Sequence, residues 1–240
     1  MIGIMQPYFL PYLGHIQLME KCNKWVIFDD IQFIDKGWIN RNKILHPNAE
    51  KKFQFITIPI KNRTQKSLIS SLEIDNAQNW REDIRGKLSF YKNKAERKNF
   101  LEGQFFLNQI LNIKTKKLSE FLHEQILIIN EYFNLDLKII LQSKDIKTIN
   151  HKSNIKKDEW AIEITKFLNG KIYINPISGI HLFDKHKFDN AKIKLKSFTP
   201  KINDISHNNK SEVFSIIDTL VRHGYLETIL KIKQGIIQNV

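Results

Sequence analysis

The pattern of apolar and polar positions begins with a short apolar run, Ile2, Ile4 and Met5, that cannot continue past Gln6. Pro7 and Pro11 remove backbone donors and fix φ, so a shaped loop must follow the strand. Gly14 permits a tight backbone before His15, and from Ile16 apolar residues recur at helical spacing through Met19 and Cys22, with Leu18 beside them. Residues 25–28 are apolar and short enough for a buried strand, which the pair Asp29 and Asp30 closes. The pattern predicts a β-loop-α-β unit. Its proline loop and its Asp pair would both lie at the carboxyl ends of parallel strands, where open α/β sheets bind ligands.

Residues 53–60 are rich in β-branched and aromatic types and predict a third strand, ended by Pro59 and followed by the basic turn Lys61, Asn62 and Arg63. From 78 to 134 the period becomes helical: Trp80, Ile84, Leu88 and Tyr91 are spaced at three or four, and 105–113 and 118–132 predict two more helices. Asn134 suits a left-handed cap. Residues 137–141 predict a strand, 159–169 a helix ended by Asn169 and Gly170, and 171–176 a strand that completes a second crossover. The loop after it, Asn175 to Gly179, would share a crevice with the proline loop. Between 184 and 199 a short helix and a strand follow, where Lys192, Lys194 and Lys196 alternate with apolar residues as on an exposed edge. A helix from 211 to 221 should end at Gly224, and the tail from 226 to 237 is amphipathic. The predicted fold class is α/β, with a predominantly parallel sheet built from βαβ units and a helical insertion in the middle third. Residues 1–77 and 137–240 would form the two parts of one core, and 78–136 the insertion.

Composition narrows the partners. The chain has 240 residues, of which 42% are hydrophobic, and 16 Phe argue for a packed interior. Its single cysteine, Cys22, excludes an intramolecular disulfide framework and suggests a reducing compartment. No apolar run reaches the length of a membrane span and the N-terminus lacks a signal pattern, so a cytoplasmic protein is expected, with homo-oligomers left open. The formal charge of +13 favours anionic partners such as phosphorylated small molecules, although lysines scattered among Asn and Ile are also what AT-rich coding produces. Nucleic acid is disfavoured, because no zinc-finger spacing, ribonucleoprotein motif or basic heptad helix accompanies the charge.

Candidate chemistry lies at strand ends. The chain has no zinc-ligand spacing, Gly-rich nucleotide loop or Gly-x-Ser-x-Gly elbow, so no metal site is expected. His15 is placed for acid-base work or phosphate binding. Asp29 and Asp30 would point to opposite sides of a continuing strand, leaving one of them as a candidate base. Asn40, Arg41 and Asn42 offer donors for phosphate, carboxylate or sugar. Lys61 follows the third strand and Asn175 the later one. Gln6, Tyr8 and Tyr12 would shape the pocket around them.

Two resemblances follow from these residues. Leu13-Gly14-His15 resembles the Gly-His half of the phosphate loop of nucleotidylyltransferases, with Tyr12 where that group carries Thr or His. The longer blocks are 6–14, 29–33 with Gln32, 37–44, 173–177 and 215–218; in order and along nearly the whole chain, they resemble the WbqC-like family. That resemblance implies bacterial surface polysaccharide (O-antigen-type) synthesis, by modification of a nucleotide-linked sugar. The leading expectation is an amide-forming N-acyl transferase acting on a nucleotide-linked amino sugar, with an acyl donor such as an acyl-CoA. Arg41 and Lys61 would bind the diphosphate, and Asp29, Asp30 or His15 would deprotonate the amine. The alternatives are a nucleotidylyltransferase-like enzyme and a non-catalytic sugar-nucleotide-binding partner.

Overall fold

The structure, a computed structural model, describes residues 1–48, 50–146, 155–156, 159–202 and 213–240. The first half runs β1 (Ile2–Met5), α1 (Leu13–Glu20), β2 (Lys24–Ile27), β3 (Arg41–Leu45), β4 (Phe53–Thr57), α2 (Trp80–Ser89), α3 (Arg97–Leu111) and α4 (Leu118–Tyr132). The second runs β5 (Lys138–Leu141), α5 (Gln142–Asp145), α6 (Trp160–Phe167), β6 (Ile172–Pro176), α7 (Lys185–Asn190), β7 (Lys194–Thr199), α8 (Ile216–Ile232) and β8 (Ile236–Asn239).

Six strands form one mostly parallel sheet in the order β5-β2-β1-β6-β7-β8, and β8 alone runs antiparallel to its neighbour. The chain starts at the centre, steps outward through β2 to β5, returns beside β1 as β6, and steps outward the other way. Strand order therefore reverses between β1 and β6. In such sheets the loops leaving the two central strands diverge to opposite faces and open a crevice at their carboxyl ends.

The pleat sorts side chains onto two faces. Trp25, Ile27, Leu141, Ile174 and Phe198 pack in one buried cluster with α1, α2, α3, α4 and α8. Ile2, Ile4, Val26, Ile140, Tyr173 and Leu195 pack in the other, with Ile164 and Phe188 from α6 and α7. Gly3 is required by the first face: a Cβ there would lie 2.5 Å from the ring of Trp25 on the paired strand and 2.9 Å from Cys22 Sγ.

Two expectations are corrected and a third is refined. Residues 53–57 do not join the main sheet; they pair antiparallel with 41–45 in a separate hairpin, Arg41 opposite Thr57 and Leu45 opposite Phe53. The strand bearing Lys194 and Lys196 is not an edge from Lys196 onward, because β8, from the tail read only as amphipathic, pairs with its residues 196–199. Gly224 does end the first helical stretch, as expected: its φ of 75° and ψ of 171° are non-helical, and α8 is two helical stretches that meet at this kink. Where the second stretch begins, the Tyr225 N–H donates to Glu102 Oε2 on α3 at 2.7 Å. The predicted start of that helix at Ser211 lies outside the described residues.

Candidate functional site

The loop from β1 to α1 is held at every backbone polar group from Tyr8 O to Pro11 O. Tyr8 O accepts from Gln125 Nε2 at 2.9 Å and Leu10 N donates to Gln125 Oε1 at 2.8 Å, so one buried glutamine from α4 spans both sides of the turn. Phe9 N donates to Trp38 O at 3.0 Å. Asn42 Nδ2 donates to Phe9 O at 3.0 Å and Leu10 O at 2.7 Å, and Ser215 Oγ adds a 2.8 Å bond to Leu10 O. Pro11 O accepts from Ile216 N at 2.9 Å. Leu10 has a φ of 42°, a conformation that non-glycine residues hold only when their surroundings over-determine it. The result is a rigid frame that presents Tyr8, Tyr12 and His15.

These three line a cavity of about 350 Å³ at the sheet's reversal point, together with Trp38, Asn42, Met5 and Leu18. Pro176 and Ser178 close it from the loop after β6, and Phe198, Pro200, Ile202 and Val213 from the other side. The two loops expected to share a crevice therefore do so. No Lys, Arg, Asp or Glu stands among the described lining residues. His15 is only 3% exposed, its ring 5.1 Å from that of Tyr8 and 5.1 Å edge-on from that of Trp25. Its Nε2 has no hydrogen-bond partner among the described residues, and burial pushes its pKa down to about 3, so the imidazole is neutral. Burial also raises the hydroxyls of Tyr8 and Tyr12, which stay protonated as donors. Gly14 sets the cavity's depth: a Cβ there would run into the Tyr12 ring and lie 2.8 Å from Pro200 Cβ. Gly14→Ala is expected to destabilise by about 1–3 kcal/mol through overpacking and to narrow the cavity. Thermal denaturation with ligand titration would read both, and an unchanged ligand affinity would count against this cavity.

The remaining sequence candidates are distributed differently. Asp29 is fully buried at the end of β2, accepting Ser143 N at 2.9 Å and Ser143 Oγ at 2.5 Å. It ties the first turn of α5; burial raises its pKa, against the lowering effect of the Ser143 bonds, and it does not line the cavity. Asp30 Oδ1 accepts from Ser70 Oγ at 3.1 Å. Asn40 is bonded to Ile58, donating from Nδ2 to its carbonyl at 2.9 Å. Arg41 Nη2 and Nε donate to Lys36 O at 2.6 Å and Gly37 O at 3.3 Å. Asn40 and Arg41 line a separate hollow of about 420 Å³ with Asp35, Lys36, Thr57, Ile60 and Arg63. Lys61 is exposed and lines neither. Gln32 is exposed and donates to Gln65 O, while Gln6, half-buried, makes no side-chain hydrogen bond among the described residues. Asn175 accepts from Tyr173 Oη at 2.9 Å and donates to Pro176 O at 3.0 Å, shaping the second loop from within. Asp29, Asn40, Arg41 and the proline loop thus do not meet in one pocket. No group of three or more His, Cys, Asp or Glu among the described residues is placed to hold a metal ion.

Sequence reasoning missed Gln125 and Gln17, and gave Ser215, inside the block 215–218, no role of its own. Gln17, fully buried, donates to Lys201 O at 2.9 Å and Lys231 O at 2.8 Å and accepts from Lys201 N at 2.9 Å, joining α1 to the segment after β7 and the end of α8. Both glutamines carried a signal: each stands within an apolar stripe, Gln125 among Phe121, Leu122, Ile126 and Ile129, where an amide must find buried partners.

The protein is a mixed α/β protein whose uncharged aromatic cavity lies at the reversal point of its sheet, the position at which open α/β sheets form crevices. The model of the WbqC-like protein family matches residues 6–228, and the chain belongs to that family. It is also 30% identical over 59 residues to the uncharacterized protein Rv1507c of Mycobacterium tuberculosis, a match spanning 25% of this chain and 24% of the relative. The chain therefore covers about a quarter of that relative's length. No solved structure matches it. No helix among the described residues is long and apolar enough to cross a membrane.

Proposed function

We propose that the chain is a cytoplasmic enzyme of bacterial surface polysaccharide synthesis that forms an amide on the amino group of a nucleotide-linked amino sugar. Family membership supports the setting, and the character of the cavity carries the reading. An uncharged pocket with Tyr8 and Tyr12 hydroxyls, the Trp38 ring and an unpartnered neutral histidine suits a sugar ring, whose C–H faces pack on aromatic rings and whose hydroxyls need donors and acceptors. It does not suit a diphosphate, so the expected pairing of Arg41 and Lys61 around this cavity is withdrawn. The amine attacks an acyl carbonyl, a C–N bond forms, and the bond to the donor's leaving group breaks. The proton leaves the nitrogen of the tetrahedral adduct, a far stronger acid than a resting ammonium. We assign the neutral His15 imidazole, whose Nε2 has no hydrogen-bond partner among the described residues, as the acceptor of that proton.

Purified protein incubated with amino and non-amino nucleotide sugars, with and without acyl-CoA or ATP, should give an acyl mass increment on the amino sugar alone. Binding without a mass shift would defeat the enzyme reading, and pyrophosphate release from a nucleoside triphosphate would favour the nucleotidylyltransferase reading instead. Tyr8→Phe is expected to raise KM by roughly five- to tenfold, the loss of one hydrogen bond to the sugar.

A further inference from the structure

We propose that the hollow beside the β3–β4 hairpin is a second ligand site, one that takes a phosphate or diphosphate group. It rests on the proposed function only for what carries the phosphate: there, the nucleotide part of the sugar nucleotide. Its lining brings three cations, Lys36, Arg41 and Arg63, around about 420 Å³, against the single carboxylate of Asp35. The cavity at the sheet's reversal point, by contrast, has no charged residue among its described lining. A ligand with a neutral ring and an anionic end would divide between two such sites. Trp38 lines the first, and Asn40 and Arg41, two and three residues along, line the second.

The cations are positioned, not merely nearby. Arg41 is braced by its bonds to Lys36 O and Gly37 O and by stacking, its Cζ 4.2 Å from the centre of the Phe55 ring. Those contacts use Nη2 and Nε, and Nη1 has no hydrogen-bond partner among the described residues. A braced guanidinium with an unused edge loses little freedom when it meets an oxyanion. Lys36 stands at a φ of 57°, so the chain doubles back there, with its carbonyl bound to Arg41. Its ammonium forms no ion pair among the described residues. Arg63 is paired with Asp35 Oδ1 at 2.7 Å, but the two side chains are 42% and 61% exposed, and an exposed pair of this kind is weak enough to exchange for a doubly charged ligand.

A second feature lies on the same hairpin. Its outward face alternates cations and aromatics: Arg41 over Phe55, and Lys43 Nζ 4.0 Å from the centre of the Phe53 ring. Phe53 and Phe55, two residues apart on β4, meet edge to face at 5.4 Å. A partly exposed aromatic face beside a cationic hollow is what a nucleotide's base and phosphates require together.

The test uses inorganic pyrophosphate as probe, by calorimetric titration of the full chain in low-salt buffer. Wild type should bind at one site. Arg63→Gln and Lys36→Asn, the latter chosen because Asn tolerates positive φ, should each weaken binding by roughly tenfold. Lys61→Gln removes a charge of the same sign from the neighbouring turn without touching the hollow and should change nothing beyond error. Asp35→Asn keeps an acceptor for the Lys36 N–H, frees Arg63 and removes the only carboxylate among the described lining residues, so binding should tighten by about three- to fivefold. Equal weakening in Lys61→Gln and Arg63→Gln would reduce the effect to overall charge and overturn the proposal, as would an unchanged affinity in Asp35→Asn. The two readings fail separately. Pyrophosphate binding with this mutational pattern but no acylated product would remove the enzyme, whereas normal turnover and KM in Arg63→Gln with unaltered pyrophosphate affinity would remove the site.

Discussion

Gln125→Ala is expected to lower the melting temperature by about 6–12 °C and to abolish ligand binding at the cavity between the two central loops. The fully buried amide bonds both Tyr8 O and Leu10 N, across a turn in which Leu10 has positive φ and prolines stand at positions 7 and 11. Truncation leaves a buried carbonyl and a buried N–H without partners, each costing about 1–3 kcal/mol, so a loss of about 3 kcal/mol is a lower-middle expectation. Gln125→Glu separates the hydrogen bonds from side-chain volume. Ionised, the carboxylate cannot donate to Tyr8 O and is buried, so its folded pKa is raised above the unfolded value. Stability relative to wild type should then recover as pH falls through that raised pKa, because the protonated acid donates again. Circular-dichroism melts of both variants at two pH values check this, and a shift under 2 °C in Gln125→Ala would show that the loop holds itself.

How far the loop could be foreseen depends on what each residue's environment imposes locally. Two prolines ending an apolar run dictate a shaped loop wherever the chain lies, and the helical spacing after Gly14 fixes α1, so the β1 to α1 frame was legible. The mutual approach of the loops after β1 and β6 was legible for the same reason, since both follow strands of one parallel sheet. Arg41 and Asn42, within the polar cluster at 40–42, were misjudged because adjacent residues of a strand face opposite ways. Arg41 turns to the outer hollow while Asn42 turns inward to hold Phe9 O and Leu10 O, so reading them as one anion site contradicted their own spacing. Asp29 was misread because its partner, Ser143, is 114 residues away and follows a strand that only the sheet order brings alongside. The antiparallel β8 was illegible for another reason: residues 236–239 are too short and too mixed in polarity to declare a strand until β7 offers its edge.

His15 makes the second large effect a matter of pH. The unfolded imidazole titrates near 6.5 while the folded one is held down to about 3 by burial, so the folded state binds the proton less well. The stability contributed by neutral His15 is complete above pH 6.5 and is lost as pH falls toward 3, at about 1.4 kcal/mol per unit. The loss reaches about 2 kcal/mol at pH 5 and about 4–5 kcal/mol at pH 3. The groups facing it do not blur this, since Tyr8 and Tyr12 are raised and titrate only in alkali. His123 and His223 are lowered by burial too and add a slope of the same sign, so the quantity to measure is wild type minus His15→Phe. Phe keeps the ring between Tyr8 and Trp25 and cannot bind a proton. Urea denaturation from pH 8 to 5 should show the wild type losing about 2 kcal/mol more than the variant, and parallel profiles would mean that protonated His15 is accommodated in the folded chain. The same substitution distinguishes a proton acceptor from a wall of the cavity. If His15 takes the proton from the tetrahedral adduct, His15→Phe lowers kcat with KM for the amino sugar little changed; if it only shapes the pocket, KM moves and kcat does not.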